Sequence, residues 1–460
     1  MIVPTKRLIF FSAIFFISAS LLAVKDSPIF PFASSGALGF ILLAVLDVLS
    51  GKSRFKNLEV SSPGVVRMTA GRLSLLPLSF QKPGDIHKTL RIIPILPESV
   101  HAGEQGYTVN LTKGEIKVTV PLQCKARIRG KYNLTACFID QSTIMGLWVV
   151  RRKFALNTEI RVYPNLITGQ KQILGLFHRR EWGWRNLRKI GKGREFEQLR
   201  DYLPGDSYED IDWKATARRR HPITRDFEVE QSQEIYIMLD ASRLSTRVCR
   251  FENQPDPLDN VDQKTSETTI FERYIIGALT MAMAADRAGD RYGLLIFSTK
   301  PDIFLKAGRG KAHYNACMEA LYNHMPSSVS PDFEEVFAFI GSTIRKRAML
   351  VFLTHLDDPL LSESFINTLN AVNRQHVVII NMMRPNGAHP LFSSALDLRD
   401  DKNPEKAIYE KLLGHMIWSS LSTTRRKLFQ YGAGFVLLNE KQLCSQLIDQ
   451  YREVKQRQII

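Results

Sequence analysis

Short apolar runs alternate with helical patterns through the carboxyl-terminal half of the chain, and this alternation constrains the fold more than any other feature. Continuous apolar runs of this kind predict buried strands. The predicted strands are Glu234–Asp240, Tyr292–Phe297, Ala348–Leu353, His376–Asn381 and Gly434–Leu438. Strands that alternate with helices are typical of a doubly wound, mostly parallel sheet with helices on both faces. Residues 231–460 are therefore predicted to form an α/β domain.

Polar side chains follow the first of these strands, at the edge where open α/β sheets bind their ligands. Asp240 ends the strand, and Ser242 and Ser245 come directly after it. A carboxylate and nearby hydroxyls are oxygen ligands of the kind that Mg²⁺ prefers. The alternative is a structural role, in which Asp240 caps the following segment and Ser242 satisfies loop amides. The pattern of residues leaves both roles open.

Residues 57–168 show the pattern of a second, smaller domain. Alternating or β-branched runs such as GYTVNLT and TEIRVYP are separated by Gly, Pro and Asn. This pattern predicts short antiparallel strands and a small all-β domain. No nucleophile, metal-binding cluster or phosphate-binding loop stands out in its sequence, so the α/β domain is the predicted location of the site.

The first fifty residues contain two uncharged apolar runs, Leu8–Val24 and Ser27–Leu46. Both runs approach the length of about 20 residues that a helix needs to span a bilayer. Basic residues flank their outer ends, and basic flanks stay in the cytoplasm. Residues 1–50 are therefore predicted to form a transmembrane helical hairpin in the bacterial inner membrane, with the rest of the chain in the cytoplasm. A cleaved signal peptide is the competing interpretation.

Charge and cysteine content exclude several classes of protein. The formal net charge of +16 is compatible with nucleic acid or anionic lipid as a partner. Because the sequence has no long basic block, we expect no nucleic-acid partner and favour a cationic surface that faces the cytoplasm. The five cysteines are scattered and show no C-x-x-C spacing, so neither a disulfide framework nor a zinc site is predicted.

Residues 169–230 are predicted to link the all-β domain to the α/β domain. Within them, the stretch Gly191–Arg220 alternates acidic and basic side chains and also carries aromatic ones. A disordered charged linker would not carry those aromatic residues. We therefore expect Phe196, Tyr202 and Trp213 to anchor this stretch.

The same stretch carries a resemblance to a known family. GREFEQLRDYLPGDSYEDIDWKATARRR, followed by TRDFEVEQSQEIYIMLDAS, resembles the signature of the bacterial domain-of-unknown-function family fifty-eight. The resemblance extends over nearly the whole chain. It implies an α/β von Willebrand factor A-like doubly wound sheet, preceded by the transmembrane hairpin and the all-β domain.

Von Willebrand factor A domains hold a metal in a site that begins Asp-x-Ser-x-Ser. Asp240 and Ser242 match its first two ligand positions, whereas the third falls on Leu244, one place before Ser245. The family also uses an aspartate after the strand that corresponds to AMLVFL, where this chain has His355 and, two residues later, Asp357. The resemblance thus implies a degenerate Mg²⁺ site of Asp240, Ser242, Ser245 and Asp357.

The resemblance also carries an expectation about function. Members of the family are often encoded beside AAA+ ATPases of the MoxR type and are thought to act as adaptors or assembly factors. We therefore expect a membrane-anchored adaptor, not an enzyme, whose partners are the lipid bilayer, a MoxR-type ATPase and an unknown client protein. The alternative is a metal-dependent hydrolase of unknown substrate that uses Asp240 or the acidic cluster of Asp206, Asp210 and Asp212.

Overall fold

A computed structural model describes most of the chain. The described residues are 1–23, 39–49, 58–81, 88–102, 106–111, 117–166, 190–191, 195–204, 206–228, 233–252, 265–391 and 404–457. They divide into two compact units, Met1–Asn165 and Leu166–Ile460.

The first unit consists mainly of strands. In chain order they are β1 (Ile2–Pro4), β2 (Glu59–Ser61), β3 (Val65–Thr69), β4 (Leu73–Gln81), β5 (Lys88–Pro94), β6 (Val100–Ala102), β7 (Tyr107–Leu111), β8 (Lys117–Ala126), β9 (Gly130–Ser142) and β10 (Trp148–Tyr163). One sheet has the order β1-β10-β9-β5-β7, with β3 paired to β10, and the other has the order β2-β4-β8-β6.

Alternation of side chains explains how these two sheets form one core. On β4, Leu76, Leu78 and Phe80 are buried at every second position, as expected for a strand that has one face covered. They join a hydrophobic cluster with Ile139 of β9, which belongs to the other sheet. The two sheets therefore pack face to face as a β-sandwich.

The amino-terminal helices differ from the prediction. Helix α1 spans Lys6–Ala23, and residues 39–49 are also helical. Lys6 and Arg7 occupy the first turn of α1, so its apolar part is shorter than the roughly 20 residues that cross a bilayer. Across the described residues, no helix combines the length and the apolar character needed to cross a membrane. The predicted fold, with its transmembrane hairpin over residues 1–50, is therefore wrong in this respect; residues 24–38 and 50 of that range lie outside the description.

The second unit opens with a small antiparallel sheet. Its strands are β11 (Ile190–Gly191), β12 (Glu195–Asp201) and β13 (Ile223–Glu228), in the order β11-β13-β12. Between β12 and β13 the chain forms a short 3-10 turn at Tyr208–Asp210 and helix α2 (Trp213–Arg219). Of the predicted linker, residues 169–189, 192–194, 205 and 229–230 lie outside the description.

A larger, mostly parallel sheet follows. Its strands are β14 (Glu234–Asp240), β17 (Arg291–Phe297), β18 (Pro301–Gly308), β19 (Met349–Leu353), β20 (Val377–Met383) and β21 (Gly434–Leu438), and a hairpin of β15 (Val248–Glu252) and β16 (Thr265–Thr269) follows β14. The order is β18-β17-β14-β19-β20-β21, and β18 is the antiparallel strand at one edge. The chain passes from β14 to β17 on one side and later to β19 on the other, so the strand order reverses at the carboxyl end of β14.

Helices cover both faces of this sheet. They are α3 (Ile270–Arg287), α4 (Lys311–Tyr322), α5 (Phe333–Thr343), α6 (Pro359–Asn373), α7 (Pro404–Gln430) and α8 (Leu443–Gln456). Ile237 of β14 belongs to the core under α3, α4 and α8, whereas the next residue, Met238, belongs to the core under α5, α6 and α7. The strands are therefore buried on both faces, which explains why they are continuous apolar runs.

Candidate functional site

Asp240 lies at the carboxyl end of β14, where the strand order reverses. Its side chain is completely buried. One carboxylate oxygen accepts a hydrogen bond from the Ser242 N–H at 2.9 Å, and the other accepts one from the Thr354 hydroxyl at 2.6 Å. Burial raises the pKa of Asp240, although the hydrogen bonds from Ser242 and Thr354 oppose this rise. The carboxylate thus links the loop after β14 to the loop after β19.

The two predicted serines are also fully buried, and both serve the turn that follows β14. The Ser242 hydroxyl accepts a hydrogen bond from the Leu244 N–H at 3.4 Å. The Ser245 hydroxyl donates to the Asp240 carbonyl at 2.6 Å. Ser242 therefore has the structural role, a hydrogen bond to a loop amide, that the sequence offered as the alternative to metal binding.

Asp357, the fourth predicted ligand, has a different partner. One of its oxygens accepts a hydrogen bond from the Arg247 guanidinium, which is half-exposed. Its other oxygen is buried and has no hydrogen-bond partner among the described residues. Hydrogen bonds join Asp240 to Ser242 and Ser245, whereas no described hydrogen bond joins Asp357 to Asp240. Asp357 still lies near this group, because burial and then the charges of Asp240 and Asp357 raise the pKa of the buried Tyr274.

A buried tyrosine connects the loops at this edge of the sheet. The Tyr274 hydroxyl donates to the Thr354 carbonyl at 3.3 Å and accepts from the Met383 N–H at 3.0 Å. The Tyr274 hydroxyl therefore bridges β19 and β20 just beyond the last pair of hydrogen-bonded residues of these two strands. The same hydroxyl lies 3.3 Å from Nδ1 of His355, and burial lowers the pKa of His355 to about 4. Sequence reasoning missed Tyr274, because an interior helical tyrosine carries no signal of such a contact.

These side chains do not fit a resident Mg²⁺ ion. Such an ion needs near-octahedral coordination by oxygen. Both oxygens of Asp240 and the Ser245 hydroxyl are already used in hydrogen bonds within the protein. Leu244 occupies one expected ligand position and the imidazole of His355 another. Within the described ranges, moreover, no group of three or more His, Cys, Asp or Glu side chains is suited to a metal.

Above this buried network lies an exposed surface, the strand-end rim, formed by Arg243, Arg247, Val248, Val329 and Leu360. The Arg243 N–H donates to the Val329 carbonyl at 2.8 Å. Leu360 lies in the first turn of α6 with 78% of its surface exposed. The rim thus combines guanidinium groups with aliphatic side chains.

The acidic cluster of the hydrolase alternative has structural partners. Asp206 makes a two-fold hydrogen bond with Arg200, at 2.8 Å for each pair of atoms, and this contact is the main cause of its lowered pKa. Asp212 caps α2 by accepting from the Lys214 and Ala215 N–H groups at 3.0 and 2.9 Å. Asp206 and Asp212 thus both have structural partners.

The aromatic residues that were expected to anchor this stretch differ in how far they are buried. The ring of Tyr202 is partly buried and lies 6.0 Å from the ring of Tyr208. Trp213 is 69% exposed, so the prediction that it anchors the stretch is wrong. The helical spacing of α2 instead turns Thr216 inward, where its hydroxyl accepts from the Ile223 N–H at 3.0 Å. The side chain of Phe196 lies outside the described part of the structure.

Comparison with known proteins places this region in a family. Residues 198–408 match the family model described as "Protein of unknown function DUF58". This region belongs to the DUF58 family. The match begins within β12, inside the stretch whose signature was recognised in the sequence, and that recognition is confirmed.

Relatives of this chain include proteins that are described as uncharacterised. Uncharacterised proteins of Mycobacterium bovis and Mycobacterium tuberculosis are 22% identical over 191 residues, which cover 41% of this chain and 54% of each relative. The chain thus spans about half the length of the curated relatives it matches.

Two solved structures show weak likeness. The conserved hypothetical protein BatB from Bacteroides thetaiotaomicron is 14% identical, covers 48% of this chain and all of its own, and has a TM-score of 0.28. A protein of unknown function from Porphyromonas gingivalis is 8% identical over 42% of this chain and 62% of its own, with a TM-score of 0.17. At these scores neither likeness supports a statement about this chain.

Proposed function

We propose that the protein is an adaptor that joins a MoxR-type AAA+ ATPase to a client protein. One observation carries the proposal: the carboxyl ends of the parallel strands hold a closed network below an exposed rim. Open α/β sheets bind their ligands at this edge, and we propose that the rim binds a protein partner there. The von Willebrand factor A-like character expected for the α/β unit belongs to the same proposal.

The closed network supports binding rather than hydrolysis. Asp240 is completely buried, and its two oxygens are engaged by Ser242 and Thr354. A general base must reach the proton that it removes, directly or through one water. The buried Asp240 instead fixes the positions of the two loops that carry the rim.

The rim has the chemistry of a protein-binding surface. Leu360 offers an exposed aliphatic side chain. Arg243 lies beside it, because its guanidinium is 3.9 Å from Asp358, the residue that caps α6. Arginine is enriched at interfaces, where it binds carboxylates through two parallel hydrogen bonds. We propose that Leu360 packs against the ATPase while Arg243 binds one of its carboxylates.

A lipid bilayer is the second proposed partner, and it concerns the first unit. Helix α1 and the helical residues 39–49 expose many large apolar side chains. Among them are Ile9, Phe10, Phe11, Phe16, Ile17, Ile41, Leu42 and Leu46. Exposed apolar surface of this extent marks a site of membrane or protein interaction. We propose that it places the protein at the bacterial inner membrane, with the second unit on the cytoplasmic side.

The lipid proposal has a simple test. The purified 460-residue chain is mixed with vesicles of bacterial lipid and floated on a density gradient. We expect the wild-type chain to float and a Phe10→Ser, Phe16→Ser double variant to float less. Equal recovery of both chains at the bottom of the gradient refutes the proposal.

The adaptor proposal is tested by co-purification. The tagged chain is isolated from its own bacterium in the presence of a non-hydrolysable ATP analogue, and a bound MoxR-type ATPase is quantified by mass spectrometry. We expect Leu360→Asp to abolish the association. Leu413→Asp is the matched control, since Leu413 is 60% exposed on α7 and is not one of the rim residues. Absence of the ATPase from the wild-type sample, or equal recovery with both variants, contradicts the proposal.

A further inference from the structure

We propose that helix α2 and the turn before it form a docking surface for an acidic, leucine-containing segment of a partner protein. The inference rests on the proposed adaptor function, because an adaptor needs a second surface besides the rim. The surface, named here the α2 face, consists of Trp213, Lys214, Ala217 and Arg218.

The segment that presents the α2 face is held firmly by its own contacts. The two-fold hydrogen bond between Arg200 and Asp206 closes the turn before the helix, and Asp206 also accepts from the Leu203 N–H at 2.8 Å. The Asp212 N–H donates to the Ile223 carbonyl at 2.8 Å, which ties the start of α2 to β13. A surface that is rigid before binding loses less entropy when a partner docks.

Helical geometry places the four residues of the α2 face side by side. At 3.6 residues per turn, Ala217 lies beside Trp213, and Arg218 lies beside Lys214. All four are exposed. Trp213 is 69% exposed, and its neighbour Ala217 has a small side chain. Tryptophan and arginine are the residues most enriched among those that dominate binding energy at interfaces.

The cations of this helix are available to a partner. Within the part of the chain that the structure describes, none of Lys214, Arg218, Arg219 and Arg220 forms a salt bridge. Arg220 has φ of 61°, in the left-handed region that favours glycine, and it is the one described residue other than glycine with positive φ. A larger residue in this conformation costs about 1 kcal/mol or more.

Charges around the α2 face favour an acidic protein segment over nucleic acid. Glu209 is exposed in the 3-10 turn, and Asp201 is 74% exposed on β12 beside His221. These carboxylates repel the continuous phosphate charge of a duplex or single strand. A peptide can instead place its few carboxylates at Lys214 and Arg218 and its leucine against Trp213. The bidentate geometry of arginine suits such carboxylates.

Fluorescence anisotropy tests the inference with defined probes. A labelled peptide of Glu and Leu is titrated with the full chain, and a Lys/Leu peptide and a single-stranded DNA of equal length serve as competing probes. We expect the Glu/Leu peptide to bind most tightly. Trp213→Ala should weaken it about 30-fold, and Lys214→Glu with Arg218→Glu at least about tenfold. These positions are exposed, so the variants should keep the wild-type circular dichroism spectrum.

Matched controls come from α7. Phe429 is 79% exposed, and Arg425 and Arg426 are exposed on the same helix. Phe429→Ala and the double reversal Arg425→Glu, Arg426→Glu should leave peptide affinity unchanged. Tighter binding of the DNA, or equal losses in the α7 and α2 variants, overturns the inference.

The same titration separates this inference from the adaptor proposal. Leu360→Asp should leave the peptide affinity unchanged, because Leu360 belongs to the rim. If the peptide binds as expected but no ATPase co-purifies, the adaptor proposal fails and the α2 face remains a docking surface. If the ATPase co-purifies through the rim but the peptide does not bind, the α2 inference alone fails.

Discussion

Substitution of Asp240 distinguishes a structural carboxylate from a metal ligand. Asp240→Leu leaves the Ser242 N–H and the Thr354 hydroxyl without their acceptor. Each buried donor left unsatisfied costs about 1–3 kcal/mol. Removal of a buried carboxylate offsets part of that cost. We therefore expect Asp240→Leu to lower the free energy of unfolding by about 2–4 kcal/mol.

Asp240→Asn should behave differently. Its amide oxygen can accept from the Ser242 N–H, and its amide N–H can donate to the Thr354 hydroxyl oxygen. We expect a change in the free energy of unfolding of less than about 1 kcal/mol. Because burial raises the pKa of Asp240 above 3.8, its stabilising effect is complete below that pH and declines as the pH rises through the raised pKa. The Asn variant lacks this decline.

Urea unfolding, followed by hydrogen exchange of the β14 amides, measures both effects on the full chain. The two variants and the wild-type protein are compared at acidic and neutral pH, with and without Mg²⁺. Equal destabilisation by Leu and Asn refutes the hydrogen-bond argument. A rise in wild-type stability on addition of Mg²⁺ that Asp240→Asn abolishes shows that the carboxylate holds a cation.

Three further predictions concern the second unit. Gly414→Ala should destabilise the protein by at least about 2 kcal/mol in urea unfolding, because the added Cβ would clash with the Gly387 carbonyl oxygen. Asp290→Asn should cost about 1.5–3 kcal/mol, since it removes the charge that accepts a hydrogen bond from Lys455 at 2.6 Å. Burial lowers the pKa of His376 below 6.5, so its stabilising effect is present above that pH and is lost as the pH falls. We therefore expect the free energy of unfolding of the His376→Gln variant to fall less steeply than that of the wild-type protein as the pH is lowered.

Each of these changes has a matched control on the same unit. Gly341→Ala should stabilise α5 by about 0.5–1 kcal/mol, because its Cβ meets no atom within 4 Å. Glu453→Gln breaks an exposed ion pair with Arg457 and should cost less than about 0.5 kcal/mol. His389→Gln replaces an exposed histidine and should change the free energy of unfolding by less than about 0.5 kcal/mol. Equal effects of a change and its control contradict the corresponding argument.

The central strands could be predicted from the sequence because both of their faces are buried. The range Glu234–Asp240 is a strand with the predicted bounds. Its apolar run allows neither an amphipathic helix nor a half-exposed strand, and its length favours a strand. The position of Asp240 at the end of the sheet followed directly from that assignment.

The contacts of the site could not be predicted in the same way. Tyr274 reaches the loops after β19 and at the end of β20 from a helix far away in sequence. Such contacts depend on how the helix packs on the sheet, which the periodicity of one segment does not specify. For the same reason, Trp213 was expected to be buried, whereas the structure exposes it.

The amino-terminal error has another origin. Hydropathy and the basic residues that flank the apolar runs led to the prediction that Leu8–Val24 and Ser27–Leu46 form one hairpin. In the structure, β1 precedes α1 and pairs with β10, so the start of the chain is part of the β-rich unit. A three-residue strand of this kind has no periodicity long enough to detect from the sequence.

Site-specific crosslinking at the rim tests the central claim most directly. A photoreactive amino acid replaces Leu360 in one sample and Leu413 in another, and the cells are irradiated before the chain is isolated. The adaptor account predicts a crosslink to a MoxR-type ATPase from position 360 and none from position 413. A crosslink from position 413 alone, or no ATPase crosslink from position 360, contradicts it.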